Sequence, residues 1–516
     1  MTISTNISSL LRHPEQGYVL VAGLGVSGIS IARFLKSKGL HVVAADSNPS
    51  RTEEATALEA LGIRCEIGSH RAETFENAAL IVTSPGIPLD MEYFNRARSK
   101  GVVVTGELDL FSVFLKQPLV AVTGTNGKTT VTTLISEMLK ASGLDVFTGG
   151  NIGTPLVDYL TSDTTAHVVV AELSSFQLDA ATDFIPDVGV LLNIAEDHLD
   201  RYPDFDGYVQ SKWSLFNNQS QSCAAVVNVG LNDLAARKSG LNSRFMTFGP
   251  AGEGGGDSAT MATGHPAGEG GQNSATHTHF SPAGEGRGGN SPAHTDFSPE
   301  GEGRVGYSAT IATDAITLIN ETDHHCLDLS AVRLKGAHNR ENLAAAALAT
   351  LAAGGNIIGI EAVIAGFSGL PHRTQYVATV DGVDYYNDSK GTNPHAVMGA
   401  LKGFDRVVLI IGGRSKQTDF SCLIPLVKER VKAIIAIGEA KEEIETALRG
   451  AARIMMADAM AEAVTTAQRV SVPGDIVLLS PGCSSFDMYK NYGHRGNDFT
   501  DLVNQLDPQA TGTGTG

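Results

Sequence analysis

The run LVAVTGTNGKTTVTTLISEMLK, residues 119–140, constrains the fold of this chain more than any other stretch. A short apolar strand runs into two glycines. Val131, Leu134, Ile135, Met138 and Leu139 then recur at the spacing of an amphipathic helix. Strand, tight turn and helix in that order make half of a βαβ unit, and the pattern repeats. YVLVAG, HVVAAD, LIVTSPG and VVVTG precede it; HVVVAELSS, VGVLLNI and AAVVNVG follow; RVVLIIGG, KAIIAIG and IVLLSPG come last. Such alternation specifies mostly parallel sheets flanked by helices. At 516 residues the chain is too long for one core. The expected class is α/β in three domains: a Rossmann-like N-terminal domain over 1–117, a central phosphate-loop ATPase-like domain over 118–333, and a C-terminal Rossmann-like domain over 334–507. Pro118 marks the first joint, and an alanine-rich helix, ENLAAAALATLAAG, opens the third domain.

Residues 250–306 break the pattern. Segments beginning at Pro250, Pro266, Pro282 and Pro299 repeat a Gly, Ser, Pro and Glu composition too poor in apolar residues to offset its ordering entropy. They read as a flexible insertion between FMTFG and AITLIN, two strands expected to pair as a hairpin. His265, His277, His279 and His294 within it are a compositional hint of metal binding and no more. The tail 508–516 reads as disordered.

The net charge of −18 argues against a nucleic-acid partner. No stretch has the length and apolarity of a membrane span, and the N-terminus lacks the pattern of a secretory signal. Five cysteines without metal or redox spacing read as reduced thiols. The expectation is a cytoplasmic protein, without membrane insertion, working as a monomer.

GTNGKTT nearly matches the phosphate-loop pattern G-x-x-x-x-G-K-[ST]: Gly127, Lys128 and Thr129 are in place, with Val122 where the first glycine belongs. Lys128 and Thr129 fall at a helix N-terminus, which suits phosphate; Lys128 can reach the β and γ phosphates, and the Thr129 hydroxyl can bind Mg2+. VAGLGVSG supplies G-x-G-x-x-G at Gly23, Gly25 and Gly28, with Asp46 closing the next strand. That pair suits the pyrophosphate and ribose of a dinucleotide, or a UDP-sugar. TSPGI adds a second anion-friendly turn. Glu172 ends a strand, and Glu196, Asp197, His198 and Asp200 follow another, so the phosphate loop, Glu172 and His198 can meet around Mg2+. Arg373, Asp388, Lys390 and Lys416 offer charge in the third domain. No G-x-S-x-G elbow occurs near LSPGCSSFDMYKN, which excludes a hydrolase nucleophile there.

Taken in order, GTNGKTT, ELSSFQLD, EDHLDRY, GAHNRENLAAA, PHR, NDSKGTNP and LSPGCSSFDMYKNYGHRGNDF resemble the Mur ligases, ATP-dependent amide-forming enzymes of peptidoglycan precursor synthesis. The resemblance spans residues 18 to about 507, the insertion apart, and GLGVSG and TSPGI are similar to the D-glutamate-adding branch. The family's loop pattern, G-[TS]-x-G-K-[ST]-[ST], does not demand the earlier glycine.

The resemblance implies that UDP-N-acetylmuramoyl-L-alanine is activated by ATP as an acyl phosphate and then captured by D-glutamate. It places Gly124, Thr125, Asn126, Gly127, Lys128, Thr129 and Thr130 on the triphosphate, with Asn339, Asn342, Arg373 and Asp388 on the nucleotide. Thr129 and Glu172 would hold one Mg2+, and His198 with a carbamylated Lys212 the second of two ions. Lys128, Glu172, His198 and Lys212 would be the catalytic set. Ser27, Asp46, Ser47, Ser84, Pro85, Gly86 and Asn151 would meet the UDP-sugar, and Lys416, Ser485, Phe486 and Tyr492 D-glutamate. Asn48 stands where some members carry a basic residue, and the insertion is foreign to the family pattern. The alternatives are a sister amide ligase, an NAD-dependent dehydrogenase resting on GLGVSG and Asp46, and a nucleotide-gated binding protein.

Overall fold

A computed structural model describes residues 3–162, 165–195, 201–250, 307–320, 323–330, 337–366, 369–415 and 419–506. Among these residues the chain forms three sheets in succession. The first contains β1 (Val19–Ala22), β2 (Val42–Asp46), β3 (Arg64–Ile67), β4 (Leu80–Thr83) and β5 (Val103–Gly106), all parallel in the order β3-β2-β1-β4-β5. The second contains β6 (Leu119–Thr123), β7 (Val146–Gly150), β8 (Val168–Glu172), β9 (Val188–Leu191), β10 (Ala224–Asn228), β11 (Arg244–Pro250), β12 (Ser308–Ile311), β13 (Ala315–Ile319) and β14 (His324–Asp328). Their order is β14-β13-β12-β11-β10-β9-β6-β8-β7. The third holds β15 (Gln375–Val380), β16 (Val383–Asn387), β17 (Val407–Gly412), β18 (Val431–Ile437), β19 (Arg453–Ala457) and β20 (Ile476–Leu479), ordered β15-β16-β20-β17-β18-β19.

Each sheet is buried on both faces, which explains why its central strands read as unbroken apolar runs. Side chains alternate between faces along a strand. Val120 and Val122 therefore join one core of the middle sheet with Val168 and Val170, while Leu119 and Ala121 join the other with Val169 and Ala171. β17 divides in the same way, Val407, Leu409 and Ile411 to one side and Val408 and Ile410 to the other.

Two expectations fail in the middle sheet. FMTFG and AITLIN do not form a hairpin, because Ser308–Ile311 is itself a strand, β12, lying between them. β12 runs parallel to β11, so residues 251–306 join two strands of the same direction, which no tight turn can do. The hairpin present is β12–β13, closed where Ala312 N–H donates to the Ala315 carbonyl at 2.9 Å. The insertion's expected flexibility falls on 251–306, outside the described residues, as does the tail from 507 on.

The alanine-rich helix, Ala337–Ala352, belongs to the middle sheet and not to the third. Leu343 through Ala349 pack in one core with Val131, Leu134, Ile135 and Met138 of the phosphate-loop helix Lys128–Ala141. Alanine is the reason: small side chains let the two helices approach closely while both remain on the sheet. The next helix, Ile357–Gly366, adds Ile360 and Ile364 to that core, and a Cβ at Gly359 would strike Ser142. The boundary expected at 334 thus falls between this helix and β15. The first and middle sheets are tied by buried Asp109, whose carboxylate accepts the N–H groups of Thr182 at 2.8 Å and Asp183 at 3.0 Å.

Leu343→Ala should destabilise the middle domain by about 2–5 kcal/mol, the cost of a large-to-small core change. Trp213, the only tryptophan in the sequence, lies in the core on the opposite face of that sheet and reports its unfolding in urea. An unchanged Trp213 transition would return the helix to the third domain.

Candidate active site

The C-terminal ends of β6, β8 and β9 lie side by side, and the phosphate loop leaves the first of them. Gly124 (φ +154°) and Gly127 (φ +84°) adopt conformations that L side chains avoid. A Cβ on Gly127 would sit 2.5 Å from the Asn342 side-chain oxygen. The loop is pinned to the end of β9: Thr125 N–H donates to the Asn193 carbonyl at 2.9 Å, and Asn126 N–H to Asn193 Oδ1 at 2.8 Å. Lys128 Nζ turns back onto the Gly124 and Thr125 carbonyls, at 2.8 and 2.9 Å. Lys212, only 1 % exposed, donates to the same Gly124 carbonyl at 3.0 Å and stands 4.5 Å from the centre of the Tyr208 ring. Tyr208 also reaches the Thr125 hydroxyl, 3.2 Å away. Thr130 is buried behind the loop.

Glu172 closes β8 and is 2 % exposed. One oxygen accepts from the Asn151 amide at 2.9 Å; the other, Oε2, is buried with no hydrogen-bond partner. A buried carboxylate oxygen is costly to leave unsatisfied, and beside a phosphate loop it fits a hard divalent cation. The donor chemistry of Glu172 and the Thr129 hydroxyl therefore suits Mg2+. Among the described residues no three His, Cys, Asp or Glu side chains cluster as a metal site. His198 lies outside those residues, together with Glu196, Asp197 and Asp200, so its expected meeting with Glu172 is not described.

Elements from further along the chain close over the loop. Asn339 and Asn342 are buried on the alanine-rich helix, Asn342 against Gly127. Arg373 Nη2 donates to the Thr129 hydroxyl at 2.6 Å, across 244 positions of sequence. His372 and Thr374, on either side of it, both have positive φ (63° and 46°), backbone strain of the kind that collects at functional sites. Burial lowers the pKa of Arg373, against the attraction of Glu172 and Asp388. Asp388 is buried, with Ser480 donating to Oδ2 at 2.7 Å and the Thr374 N–H to Oδ1 at 3.1 Å; burial lifts its pKa to about 6. Lys390 falls to about 8, through burial first and then the charge of Arg373. Its ammonium lies 5.1 Å from the centre of the Tyr492 ring.

The third sheet's loops contribute buried Ser485 and, more openly, Phe486 (63 % exposed) and Tyr492. Lys416 lies outside the described residues. Arg495, which the sequence reading did not single out, braces this corner. Its buried guanidinium donates to the Ser389 hydroxyl at 3.0 Å and to the carbonyls of Ser389, Cys483 and Ser484 at 2.8, 3.2 and 3.4 Å. Burial pushes its pKa down to about 10. Tyr208 was missed as well, though its position one helical turn before Lys212 was a usable signal.

Ser27, Asp46, Ser47 and the Ser84–Gly86 turn gather at the ends of β1, β2 and β4, where the strand order of the first sheet reverses. A Cβ at Gly28 would overlap the Gly23 carbonyl, so the turn requires glycine there. Asp46 holds the turn itself: Oδ2 accepts the Leu24 N–H at 2.6 Å and Oδ1 the Asn48 N–H at 2.8 Å. Arg201, whose guanidinium lies 4.7 Å from the centre of the Phe176 ring, donates to the Gly86 carbonyl at 2.9 Å and joins this turn to the middle domain. Asn151 directly follows β7, and its side-chain amide donates to Glu172 Oε1 at 2.9 Å.

Residues 17–106 match the model of the Mur ligase MurD-like N-terminal domain, 122–283 that of the Mur ligase middle domain, and 372–483 that of the Mur ligase glutamate ligase domain. The chain is 41 % identical over 495 residues to the UDP-N-acetylmuramoylalanine--D-glutamate ligase of Desulfosudis oleivorans, covering 95 % of this chain and 97 % of that protein. The protein of the same name from Geotalea daltonii is 38 % identical over 491 residues, with 95 % and 97 % covered. Among solved structures, a pseudomurein peptide ligase type C from Methanothermus fervidus superposes with a TM-score of 0.51 at 18 % identity, over 95 % of this chain and all of that one. The MurF ligase of Thermotoga maritima in complex with ADP also gives 0.51, at 16 % identity over 96 % of each chain. At those identities the two structures speak for the fold alone.

Gly127→Ala should weaken ADP binding at least about tenfold, because the added methyl both strains the backbone and meets Asn342; the strain alone costs about 1–3 kcal/mol. Calorimetric titration with ADP checks it, and wild-type affinity in the variant would remove this loop from the nucleotide site.

Proposed function

The chain belongs to the Mur ligase family, and on that premise we propose that it is the ADP-forming ligase that adds D-glutamate to UDP-N-acetylmuramoyl-L-alanine, a step of peptidoglycan precursor synthesis. The observation that carries the mechanism is the buried, unpartnered Oε2 of Glu172 beside a phosphate loop whose Thr129 hydroxyl is held by Arg373. A free carboxylate is a poor electrophile, so the alanyl carboxylate must first be activated. Its oxygen attacks the γ-phosphorus of ATP, ADP departs, and an acyl phosphate results. The amine of D-glutamate then attacks the acyl carbon, loses a proton, and inorganic phosphate leaves with the C–O bond electrons.

The chain's own groups serve each stage. Gly124 to Thr130 would wrap the triphosphate at the N-terminus of the helix Lys128–Ala141, and Lys128 and Arg373 neutralise charge that spreads over the phosphoryl oxygens during transfer. Asn339, Asn342 and Asp388 hold the rest of the nucleotide. Thr129 and Glu172 would hold one Mg2+, and His198 with carbamylated Lys212 a second. Bound there, Mg2+ screens the phosphate charge against the approaching carboxylate. A plain ammonium at Lys212 would repel a cation, whereas a carbamate supplies an anionic oxygen. Ser27, Asp46, Ser47, Ser84, Pro85, Gly86 and Asn151 orient the UDP-sugar so that its alanyl end reaches the loop. Lys416, Ser485, Phe486 and Tyr492 receive D-glutamate, with Lys416 pairing one carboxylate. We place the reaction in the cytoplasm and assign it to a monomer; among the described residues no helix is long and apolar enough to cross a membrane.

Phosphate release from MgATP should require both UDP-N-acetylmuramoyl-L-alanine and D-glutamate. It should not proceed with L-glutamate or L-alanine, and Lys128→Ala should slow it at least about a hundredfold, the scale of losing one charge-stabilising donor. Turnover with another amino acid would reassign the acceptor. Protein incubated with 13C-bicarbonate should show a carbamate carbon resonance that disappears in Lys212→Arg; persistence of the signal would place the modification elsewhere.

A further inference from the structure

His372 stands one residue before Arg373, and its ring is held by a residue that has no part in the chemistry above. Asn387 closes β16 and is fully buried. Its side-chain oxygen accepts the Ser389 N–H at 3.1 Å, and its Nδ2 donates to the Gly496 carbonyl at 2.8 Å. Those two backbone partners fix which way round the amide lies. Turned over, it would set N–H against N–H and oxygen against oxygen. With the amide so fixed, the atom that faces His372 Nδ1 at 3.1 Å is a nitrogen that can only donate. Thr500 Oγ1, also at 3.1 Å, shares that nitrogen's hydrogens. Nδ1 therefore carries no proton, and the ring's own proton sits on Nε2. Burial first, and then the charge of Lys390, lower the pKa of the ring and so favour the same neutral form.

The ring occupies space left by a missing side chain, since a Cβ on Gly496 would strike Nδ1. The backbone of the turn is held as well. His372 N–H donates to Gln375 Oε1 and its carbonyl accepts the Lys390 N–H, both at 3.0 Å. On the other side of Arg373, the Thr374 N–H donates to Asp388 Oδ1 at 3.1 Å. His372 and Thr374 both have positive φ, and such a conformation persists only where its surroundings over-determine it. Arg373 lies between these two anchors, with Nη2 2.6 Å from the Thr129 hydroxyl.

We propose that Asn387 and His372 are a positioning pair for the nucleotide: the Asn387 amide holds His372 as the neutral Nε2–H tautomer, and the ring so held keeps the strained turn that places the Arg373 guanidinium on Thr129 of the phosphate loop. The proposal rests on the functional reading above, which makes that loop the nucleotide site.

Its test combines spectroscopy with direct binding on the full chain. With 15N-labelled histidine, the signals lost in His372→Asn identify the ring, and in the wild type its Nδ1 should resonate as an unprotonated nitrogen at neutral pH. Asparagine tolerates positive φ and puts an amide oxygen where Nδ1 lies, so His372→Asn should keep ADP affinity within about threefold by titration calorimetry. A carboxylate cannot donate to the ring or to Gly496, so Asn387→Asp should weaken ADP binding about tenfold or more. In an Arg373→Ala background the same substitution should add less than about twofold, since both act through one guanidinium. General damage to the third domain would instead show its full loss there. A protonated Nδ1, or a His372→Asn chain as weak as Asn387→Asp, would overturn the role of the tautomer. No loss in Asn387→Asp, or losses that add to that of Arg373→Ala, would overturn the action through Arg373. A wild-type chain that binds no ADP would overturn the reading of the loop, and this inference with it.

Discussion

A parallel sheet packed on both faces leaves little room for polar chemistry except at the edge where its strands end. In this chain the constraint applies three times. Each sheet commits alternate side chains of its central strands to opposite cores. The groups able to bind anions then collect at the carboxyl ends of β1, β2 and β4, of β6, β8 and β9, and of β16, β17 and β20. Most of the rest of the structure serves to bring those three edges together: Asp109 and Arg201 between the first and middle domains, and Arg373 between the middle and third.

Where the edges meet, the local electrostatics run against those of the whole molecule. The chain carries a net charge of −18, yet Lys128, Lys212, Arg373 and Lys390 crowd around Glu172 and Asp388. Burial pushes the pKa of Lys390 down to about 8, with the charge of Arg373 adding to the fall, and burial lifts that of Asp388 to about 6 against the pull of Arg373. A triphosphate would relieve such a surplus of cations, and partial burial makes each interaction stronger than it would be at a free surface. Arg495 deepens the same effect from behind, because its hydrogen-bond acceptors are carbonyls and a hydroxyl that carry no compensating charge.

Much of this was legible in the sequence. Strand, glycine turn and amphipathic helix are local signals, and they gave the α/β class, the phosphate loop and the placement of Glu172 at a strand end. What was not legible depends on partners remote in sequence. Ala337–Ala352 looks like the start of a new domain when read forward, and only its packing on Lys128–Ala141 returns it to the middle sheet. Ser308–Ile311 was hidden inside the last unit of the repeat, because YSAT continues the repeat's composition while it also alternates as a strand. Arg495 matters through burial, and an isolated charge in a sequence carries no sign of whether it will be buried. The assignments of His198 and Lys416 rest on family motifs alone.

The parallel pairing of β11 and β12 also bears on how such a chain can change length. Phe248 lies beside Ala309, and Pro250 beside Ile311, so the exit from one strand and the entry to the next face opposite ways along the sheet. A connection of that type needs about a dozen residues at minimum, whereas further length adds to its closure entropy only logarithmically. Duplications of a 16-residue unit can therefore accumulate between Pro250 and Tyr307 at little thermodynamic cost. Excision that leaves fewer than about a dozen residues would instead pull β12 out of the sheet. The joint is open to growth by replication slippage and closed to complete loss.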